Sequence, residues 1–150
     1  MTTRGIRGAI QISEDTPENI LTATRELLYA MLEANPALYA EDVASIFFTV
    51  THDLNAAHPA LAARQIGWVE VPLLCAQEIP VPGSMPRVIR VLMHWNTDLP
   101  QRDIHHVYLG NAAALRPDLQ NPPIRSSLNG SKPQVIHAIE QGSTLSGGFA

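Results

Sequence analysis

The chain has 150 residues, of which 45% are hydrophobic and 16% charged, and its formal net charge is -4 at pH 7. This length and composition predict one folded domain with a hydrophobic core and exclude wholesale disorder. The acidic balance argues against a nucleic-acid-binding protein, which normally carries a basic face, and no basic amphipathic helix suits a membrane surface. Because the N-terminus MTTRGIRGAI lacks the apolar stretch of a signal peptide and the run IFFTV is too short to cross a bilayer, we expect a cytoplasmic location.

The first predicted elements are a strand and a helix. Residues 4–12 (RGIRGAIQI) alternate between isoleucines on one face and mostly polar or small residues on the other, which is typical of a strand. A helix is expected to begin at Thr16 and Pro17, because threonine can cap a helix and proline suits its first turn. Its apolar stripe ends near residues 35–36, where an Asn-Pro pair stops the helix.

A strand, a short helix and a further strand are predicted next. Residues 44–51 (ASIFFTVT) are rich in aromatic and β-branched residues and predict the second strand. The short helix is predicted from Pro59 to Gly67, since glycine suits the left-handed position after a helix. Residues 68–76 predict the third strand, and Pro72 within it indicates a sheet edge or a bulge.

The last predicted elements are strands, followed by a tail. Residues 87–96 predict the fourth strand, and residues 105–109 with 112–115 predict one or two more. After residue 116 the sequence becomes rich in turn-forming residues, and its last segment, QGSTLSGGFA, has only a weak pattern for regular secondary structure. A flexible terminus and a functional segment are both open interpretations of this end. We therefore expect a folded domain over residues 1–119 and an extended or partly ordered tail over residues 120–150.

Arg90 is the most informative candidate for a functional site. On a strand, the period of two places Arg90 between Val88 and Leu92, and the opposite face is apolar as well. A guanidinium in such surroundings is costly unless an anion or several hydrogen bonds satisfy it. Arg7 repeats the pattern on the first strand, and two arginines that face a common space favour an anion pocket. Glu78 could neutralise one of them in a structural salt bridge, or it could bind a substrate hydroxyl.

Other kinds of chemistry have little support in the sequence. Cys75 is the only cysteine, which excludes an intrachain disulfide and a cysteine-based zinc site, and it has no basic partner in sequence that would activate a thiol nucleophile. The six histidines form no metal-binding pattern, and the motifs HExxH and GxSxG and a glycine-rich phosphate loop are missing. We therefore expect an arginine-rich pocket with one carboxylate, no metal and no cofactor.

Five motifs occur in order along about four-fifths of the chain: RGIRGA (residues 4–9), CAQE (75–78), RVIRVLM (87–93), HVYL (106–109) and LRPDL (115–119). Together they resemble the chorismate mutases of the trimeric mixed α/β class, which is distinct from the all-helical class. The resemblance implies an α+β fold in which a mixed sheet carries helices on one side. It further implies a homotrimer whose three sheets form a barrel-like core, with an active site between each pair of subunits.

The resemblance also implies an activity, the conversion of chorismate to prephenate in phenylalanine and tyrosine biosynthesis. This reaction is an intramolecular Claisen rearrangement that needs no cofactor. By the resemblance, Arg90 donates to the ether oxygen of the breaking bond and to a carboxylate, and Arg7 holds a carboxylate. Glu78 accepts from the ring hydroxyl, with Cys75 beside that hydroxyl, and Tyr108 donates to a carboxylate.

The same resemblance assigns weaker roles to five further residues. Arg64 and Arg116 would add positive potential at the mouth of the pocket. Leu74, Ala76 and Gln77 would line it through their shape and backbone groups. No other macromolecular partner is implied, and in particular no nucleic acid or membrane.

The sequence departs from the family pattern in the pocket. His58 stands where a phenylalanine usually covers it, and Leu61 stands where a lysine usually adds charge at its entrance, so substrate affinity is the property most affected. Two alternatives share the arginine pocket. One is a trimeric small-molecule-binding or regulatory protein, and the other is an enzyme similar to the trimeric enamine/imine deaminases. The combination of Cys75, Glu78 and Arg90 favours the mutase over both.

Overall fold

A computed structural model of the protein describes residues 1–119, which form an α+β fold around one mixed five-stranded sheet. The strand order is β3-β2-β4-β1-β5; β4 runs antiparallel to both β1 and β2, whereas β1/β5 and β2/β3 are parallel pairs. The predicted tail over residues 120–150 lies outside the described residues. The strands are β1 (Thr2–Gln11), β2 (Val43–Val50), β3 (Leu73–Gln77), β4 (Val88–Thr97) and β5 (Val107–Leu109), and the helices are α1 (Pro17–Ala34) and α2 (Ala60–Gln65).

The first strand and helix form as the sequence predicts. Thr16 caps α1, because its hydroxyl accepts a hydrogen bond from the Asn19 backbone N–H at 3.1 Å, and Pro17 occupies the first turn. The helix then packs across β1 at Gly8, where an added Cβ would lie only 2.7 Å from the Met31 sulfur. Gly8, the residue after Arg7, therefore allows the close approach of a helix.

Both α-helices cover the same face of the sheet and bury its largest side chains. The core under them includes Ile6 and Ile10 of β1, Phe48 of β2, and Met93 and Trp95 of β4, each at most 7% exposed. The period of two sends these side chains toward the helices and the intervening ones to the opposite side, which we call the open face. Packing against the helices thus decides which residues of each strand remain on the open face.

The open face is covered only in part. A short 3-10 helix, Gly110–Leu115, lies over β1, so that Ala112 packs with Ala9 and Val88 in a second small core. Farther along, three large apolar side chains stay exposed: Phe47 at 40%, Leu74 at 56% and Leu92 at 39%. They are direct neighbours across β3, β2 and β4 and form one apolar patch.

Two strand predictions were wrong in part. Residues 68–72 are not in a strand, because the Trp68 N–H donates to the Ala63 carbonyl at 3.1 Å, which extends the cap of α2, and Gly67 takes the left-handed conformation (φ 98°). The strand begins only after Pro72, and β3 is an edge strand, as the proline indicated. Residues 112–115 belong to the 3-10 helix. The prediction of a strand failed there because a short apolar run does not distinguish a strand from a helix. Within residues 1–119 no helix is long and apolar enough to cross a membrane.

Candidate active site

One cross-strand row on the open face carries the central candidate residues. In the order of the sheet, the paired residues of this row are Ala76, Thr49, Arg90, Ala9 and Tyr108. Neighbouring strands lie about 4.8 Å apart, so Arg90 and Tyr108 are separated by two strand spacings with the small Ala9 between them. Arg7 lies on the same face, two residues before Ala9 and paired with Leu92. We call Arg7, Glu78, Arg90 and Tyr108 the arginine patch.

Arg90 and Glu78 form an ion pair in the patch. Arg90 Nε lies 3.0 Å from Glu78 Oε1, and each side chain is 20% exposed. The Nε–H does not point at that oxygen, so the buried Nε has no hydrogen-bond acceptor among the described residues. Of the two interpretations of Glu78, the salt bridge with Arg90 is present in this state of the protein, and the contact with a substrate hydroxyl stays a prediction. A partly buried guanidinium with an unused donor remains suited to an additional acceptor, such as a substrate oxygen.

Thr49 completes this cluster, and the sequence reasoning missed it. Its hydroxyl donates to Glu78 Oε1 at 2.7 Å, so the same carboxylate oxygen meets both Thr49 and Arg90. The Glu78 N–H extends the β2/β3 ladder by donating to the Val50 carbonyl at 2.9 Å, which directs Glu78 to the face of Thr49. The alternation in ASIFFTVT could have placed Thr49 on the face of Phe47, but it does not show what lies opposite.

A second polar cluster lies at the β5 side of the patch. Arg116 donates to both carboxylate oxygens of Asp118, at 3.0 and 2.8 Å, and this pair raises the pKa of Arg116 and lowers the pKa of Asp118. A hydrogen bond and charge interaction with Tyr108 also contribute to the shift at Arg116, so these two predicted residues lie together. Arg116 already has an acidic partner, which offsets part of its positive potential.

His106, which directly precedes β5, supports Arg7. Its Nδ1 accepts a hydrogen bond from the Arg7 backbone N–H at 3.0 Å, which requires that nitrogen to be unprotonated. Burial lowers the pKa of His106, and the charges of Arg116 and Arg7 lower it further. The sequence reasoning gave His106 no role, although it precedes Tyr108 by two residues and shares its face.

A turn at the start of β4 fixes the position of Arg90. Arg87 adopts a left-handed backbone conformation (φ 52°), and its N–H donates to the Asp53 carboxylate at 3.0 and 3.2 Å. The Thr51 hydroxyl donates to Asp53 and accepts from the Val88 N–H at 3.0 Å, and Arg87 Nε donates to the Ile12 carbonyl. Arg87, to which the sequence reasoning assigned no role, thus joins the ends of three strands.

Three predicted residues, Arg64, Leu74 and Cys75, lie apart, with His58 and Leu61 beside them, in what we call the edge groove. They line a cavity of about 470 Å³ between α2 and the outer strand β3, to which neither Arg7, Arg90 nor Tyr108 contributes. A neighbouring cavity of about 440 Å³ shares His58 and Cys75 and adds Ala76 and Gln77. Asp15 holds the loop beside it by accepting from the Asn55 and Ala56 N–H groups at 3.1 to 3.2 Å.

Cys75 illustrates how the two regions are separated. It pairs with Phe48, which pairs with Val91, so Cys75 belongs to the row that packs under the helices. Glu78 lies three residues later and faces the other way. A single chain therefore brings together Arg7, Glu78, Arg90, Tyr108 and Arg116, but not Arg64 or Cys75 with them. Within residues 1–119 no group of three or more His, Cys, Asp or Glu is arranged to hold a metal ion.

Comparisons with known proteins identify the family. The family described as chorismate mutase type I matches residues 3–119. The chain is 64% identical to chorismate mutase AroH of Thermus thermophilus over 118 residues, which are 79% of this chain and 97% of that protein. The chain belongs to the type I chorismate mutase family.

Two further proteins named chorismate mutase are also similar to this chain. Chorismate mutase AroH of Bacillus subtilis is 46% identical over 120 residues, which are 79% of this chain and 94% of that protein. The solved structure of a chorismate mutase from Clostridium thermocellum is 50% identical, with a TM-score of 0.71 over 73% of this chain and 97% of the other. The resemblance seen in the five motifs is thereby confirmed, and type I chorismate mutases are isomerases.

Proposed function

We propose that this protein is a chorismate mutase that converts chorismate to prephenate by intramolecular Claisen rearrangement, a step toward phenylalanine and tyrosine. The observation that carries the proposal is the partly buried Arg90, with an unused Nε donor, in one row with Thr49 and Tyr108 and in contact with Glu78. The names of the two relatives support the same activity. The proposed catalytic domain is residues 1–119, since the family match ends at residue 119. The cytoplasmic location stays a prediction.

Transition-state stabilisation by Arg90 is the centre of the proposed mechanism. In the rearrangement the ether bond breaks while a carbon–carbon bond forms, and negative charge grows on the ether oxygen. A fixed guanidinium donor aimed at that oxygen binds the polarised transition state more strongly than the ground state, which is what accelerates a reaction. Because the surrounding sheet fixes Arg90, little reorganisation is needed when the charge develops.

Substrate positioning is the second part of the mechanism. Chorismate is flexible and reacts only from a compact diaxial conformer, so groups that hold its two carboxylates lower the barrier. We assign this task to Arg7 and Tyr108 in the patch, with Arg116 adding positive potential. Glu78 accepts from the ring hydroxyl. Its contacts with Thr49 and Arg90 both use Oε1, so Oε2 is the oxygen we assign to the substrate.

We further propose that the protein is a homotrimer with each active site between two subunits. The open face exposes an apolar patch of Phe47, Leu74 and Leu92, which is costly to leave in water. The edge groove, with Arg64 and Cys75, lies away from the arginine patch of the same chain. Packing of the open faces around a threefold axis would cover the apolar patch and bring the edge groove of one subunit to the arginine patch of the next.

Mixing the purified protein with chorismate and following the loss of its ultraviolet absorbance tests the proposed activity. We expect rapid consumption with prephenate as the product. Binding of chorismate without conversion would instead support the alternative of a small-molecule-binding or regulatory protein. Light scattering tests the assembly separately, and we expect three times the mass of the chain; a monomer would contradict the shared site.

A further inference from the structure

We propose that Thr49 is a positioning residue for catalysis, which acts by holding the Glu78 carboxylate. The proposal rests on the proposed role of Glu78 in the active site. Thr49 is the cross-strand neighbour of Arg90 on β2/β4 and of Ala76 on β2/β3, so the sheet places its hydroxyl between the two charged side chains. Its hydroxyl donates to Glu78 Oε1 at 2.7 Å, and Arg90 Nε lies 3.0 Å from the same oxygen.

The Thr49 hydroxyl affects the geometry of the ion pair between Glu78 and Arg90. Carboxylate and guanidinium groups tend to form a bidentate pair, in which two nitrogens of the fork bind both oxygens. Such a pair between Glu78 and Arg90 would occupy the groups that are needed for the substrate. Because Thr49 holds Oε1, the closest contact of Arg90 with Glu78 is through Nε to that one oxygen. Oε2 of Glu78 and the N–H donors of Arg90, including the unused Nε–H, are then left for substrate groups.

This role predicts which kinetic constant changes when the hydroxyl is lost. In Thr49→Val, which keeps the size and branching of the side chain, Glu78 is free to rotate and to compete for the Arg90 fork. When Glu78 occupies the Arg90 fork, Arg90 can no longer donate to the transition state. We therefore expect kcat to fall roughly tenfold, with a smaller change in KM. Thr49→Ser keeps the hydroxyl and is expected to stay within about threefold of the parent kcat.

A double-mutant cycle with Glu78→Gln separates a positioning role from a general loss of structure. If Thr49 acts through Glu78, then Thr49→Val should change the activity of the Glu78→Gln protein much less than it changes that of the parent. Thr3→Val is the matched control: Thr3 is also a strand threonine of the open face with one side-chain hydrogen bond, to Asn96 at 2.6 Å, but it lies away from the patch. We expect parent kinetics from Thr3→Val.

The outcomes distinguish this inference from the function on which it rests. Parent kcat in Thr49→Val, equal losses in Thr49→Val and Thr49→Ser, or additive losses in the cycle would each overturn the positioning role. Parent activity in Glu78→Gln would remove Glu78 from the site and thereby the proposed mechanism as well. Thermal unfolding of each variant identifies misfolding, and should Thr49→Val fail to fold, Thr49→Ala takes its place in the same cycle with the same expected results.

Discussion

The arginine patch and the edge groove differ in how much support one chain gives to their side chains. In the patch, Glu78 and Arg90 are each 20% exposed and form an ion pair; Arg90 lies on the central strand β4, and Glu78, which follows the edge strand β3, accepts a hydrogen bond from Thr49 of β2. In the groove, Leu74 is 56% and Leu61 42% exposed, and both lie on an edge strand or on a six-residue helix, which is too short to be stable alone. The patch is thus preorganised by the fold, whereas the groove depends on what packs against it.

The largest expected effect comes from Arg90 in the patch. Arg90→Ala removes the donor that we propose acts on the ether oxygen, and Arg90→Lys replaces a rigid fork with a point charge that cannot reproduce it. We expect both to lose about 3 to 4 kcal/mol of transition-state stabilisation, or roughly a hundred- to a thousandfold in kcat. Steady-state kinetics with chorismate measure this loss, and Arg102→Ala, an exposed arginine of a 3-10 helix, serves as the control. More than a tenth of the parent rate in Arg90→Lys would contradict the assignment.

Arg64 in the edge groove should have a smaller effect, and it allows a test of the shared site. Arg64→Ala is expected to lower kcat/KM about tenfold, as loss of one charge-assisted contact does. Subunits of Arg64→Ala and Arg90→Ala are then mixed by unfolding and refolding them together. If each site takes Arg90 from one chain and Arg64 from its neighbour, about a quarter of the sites regain both arginines. Activity that never exceeds the average of the two separate variants would show that both arginines belong to one chain.

Asp53 should affect stability more than chemistry. Asp53→Asn weakens the bonds to Thr51 and to the Arg87 N–H, and we expect a loss of about 1 to 3 kcal/mol in the free energy of unfolding. Because the turn fixes the start of β4, kcat should also fall a few-fold. Urea unfolding measures the first effect. Asp98→Asn, an 87% exposed carboxylate beside the N-terminal amine, should change stability by less than about 0.5 kcal/mol.

The acid dependence of the Asp53 variant gives a further check. Burial raises the pKa of the Asp53 carboxyl, but the hydrogen bonds from Thr51 and Arg87 outweigh it, so the net pKa is lowered. A carboxyl with a lowered pKa in the folded state stabilises the protein above its ordinary pKa, and this contribution is lost as the pH falls below about 4. Asp53→Asn should lack that part of the acid destabilisation.

The periodicity of the strands was enough to predict most of the fold, and residue pairing decided the rest. A period of two placed Arg90 among apolar neighbours and Arg7 on a strand, and both expectations agree with the structure. It could not show that Thr49 faces Arg90, because β2 and β4 are far apart in sequence and only the sheet order makes them neighbours. The ion pair of Glu78 and the turn at Arg87 depend on the same long-range pairing.

Cys75 shows a second limit of the sequence reasoning. The motif CAQE places it three residues before Glu78, and the family resemblance assigns both to the same substrate hydroxyl. In one chain, however, the strand sends Cys75 under the helices and Glu78 to the open face. A motif that assigns two residues to one site does not show which face or which subunit supplies each of them.

The smallest expected effect concerns the pH dependence of stability at the β5 side of the patch. His106 has a lowered pKa in the folded state because of burial, with Arg116, Arg7 and His105 lowering it further and Asp118 raising it. The unfolded chain therefore binds a proton at a higher pH than the folded one, and stability falls as the pH decreases through about 6.5 toward the lower folded value. In His106→Asn, whose side-chain oxygen can still accept from the Arg7 N–H, this fall should disappear. Urea unfolding at pH 7.5 and pH 5.5 measures the difference, and an equal decrease in parent and variant would assign the titration to another group.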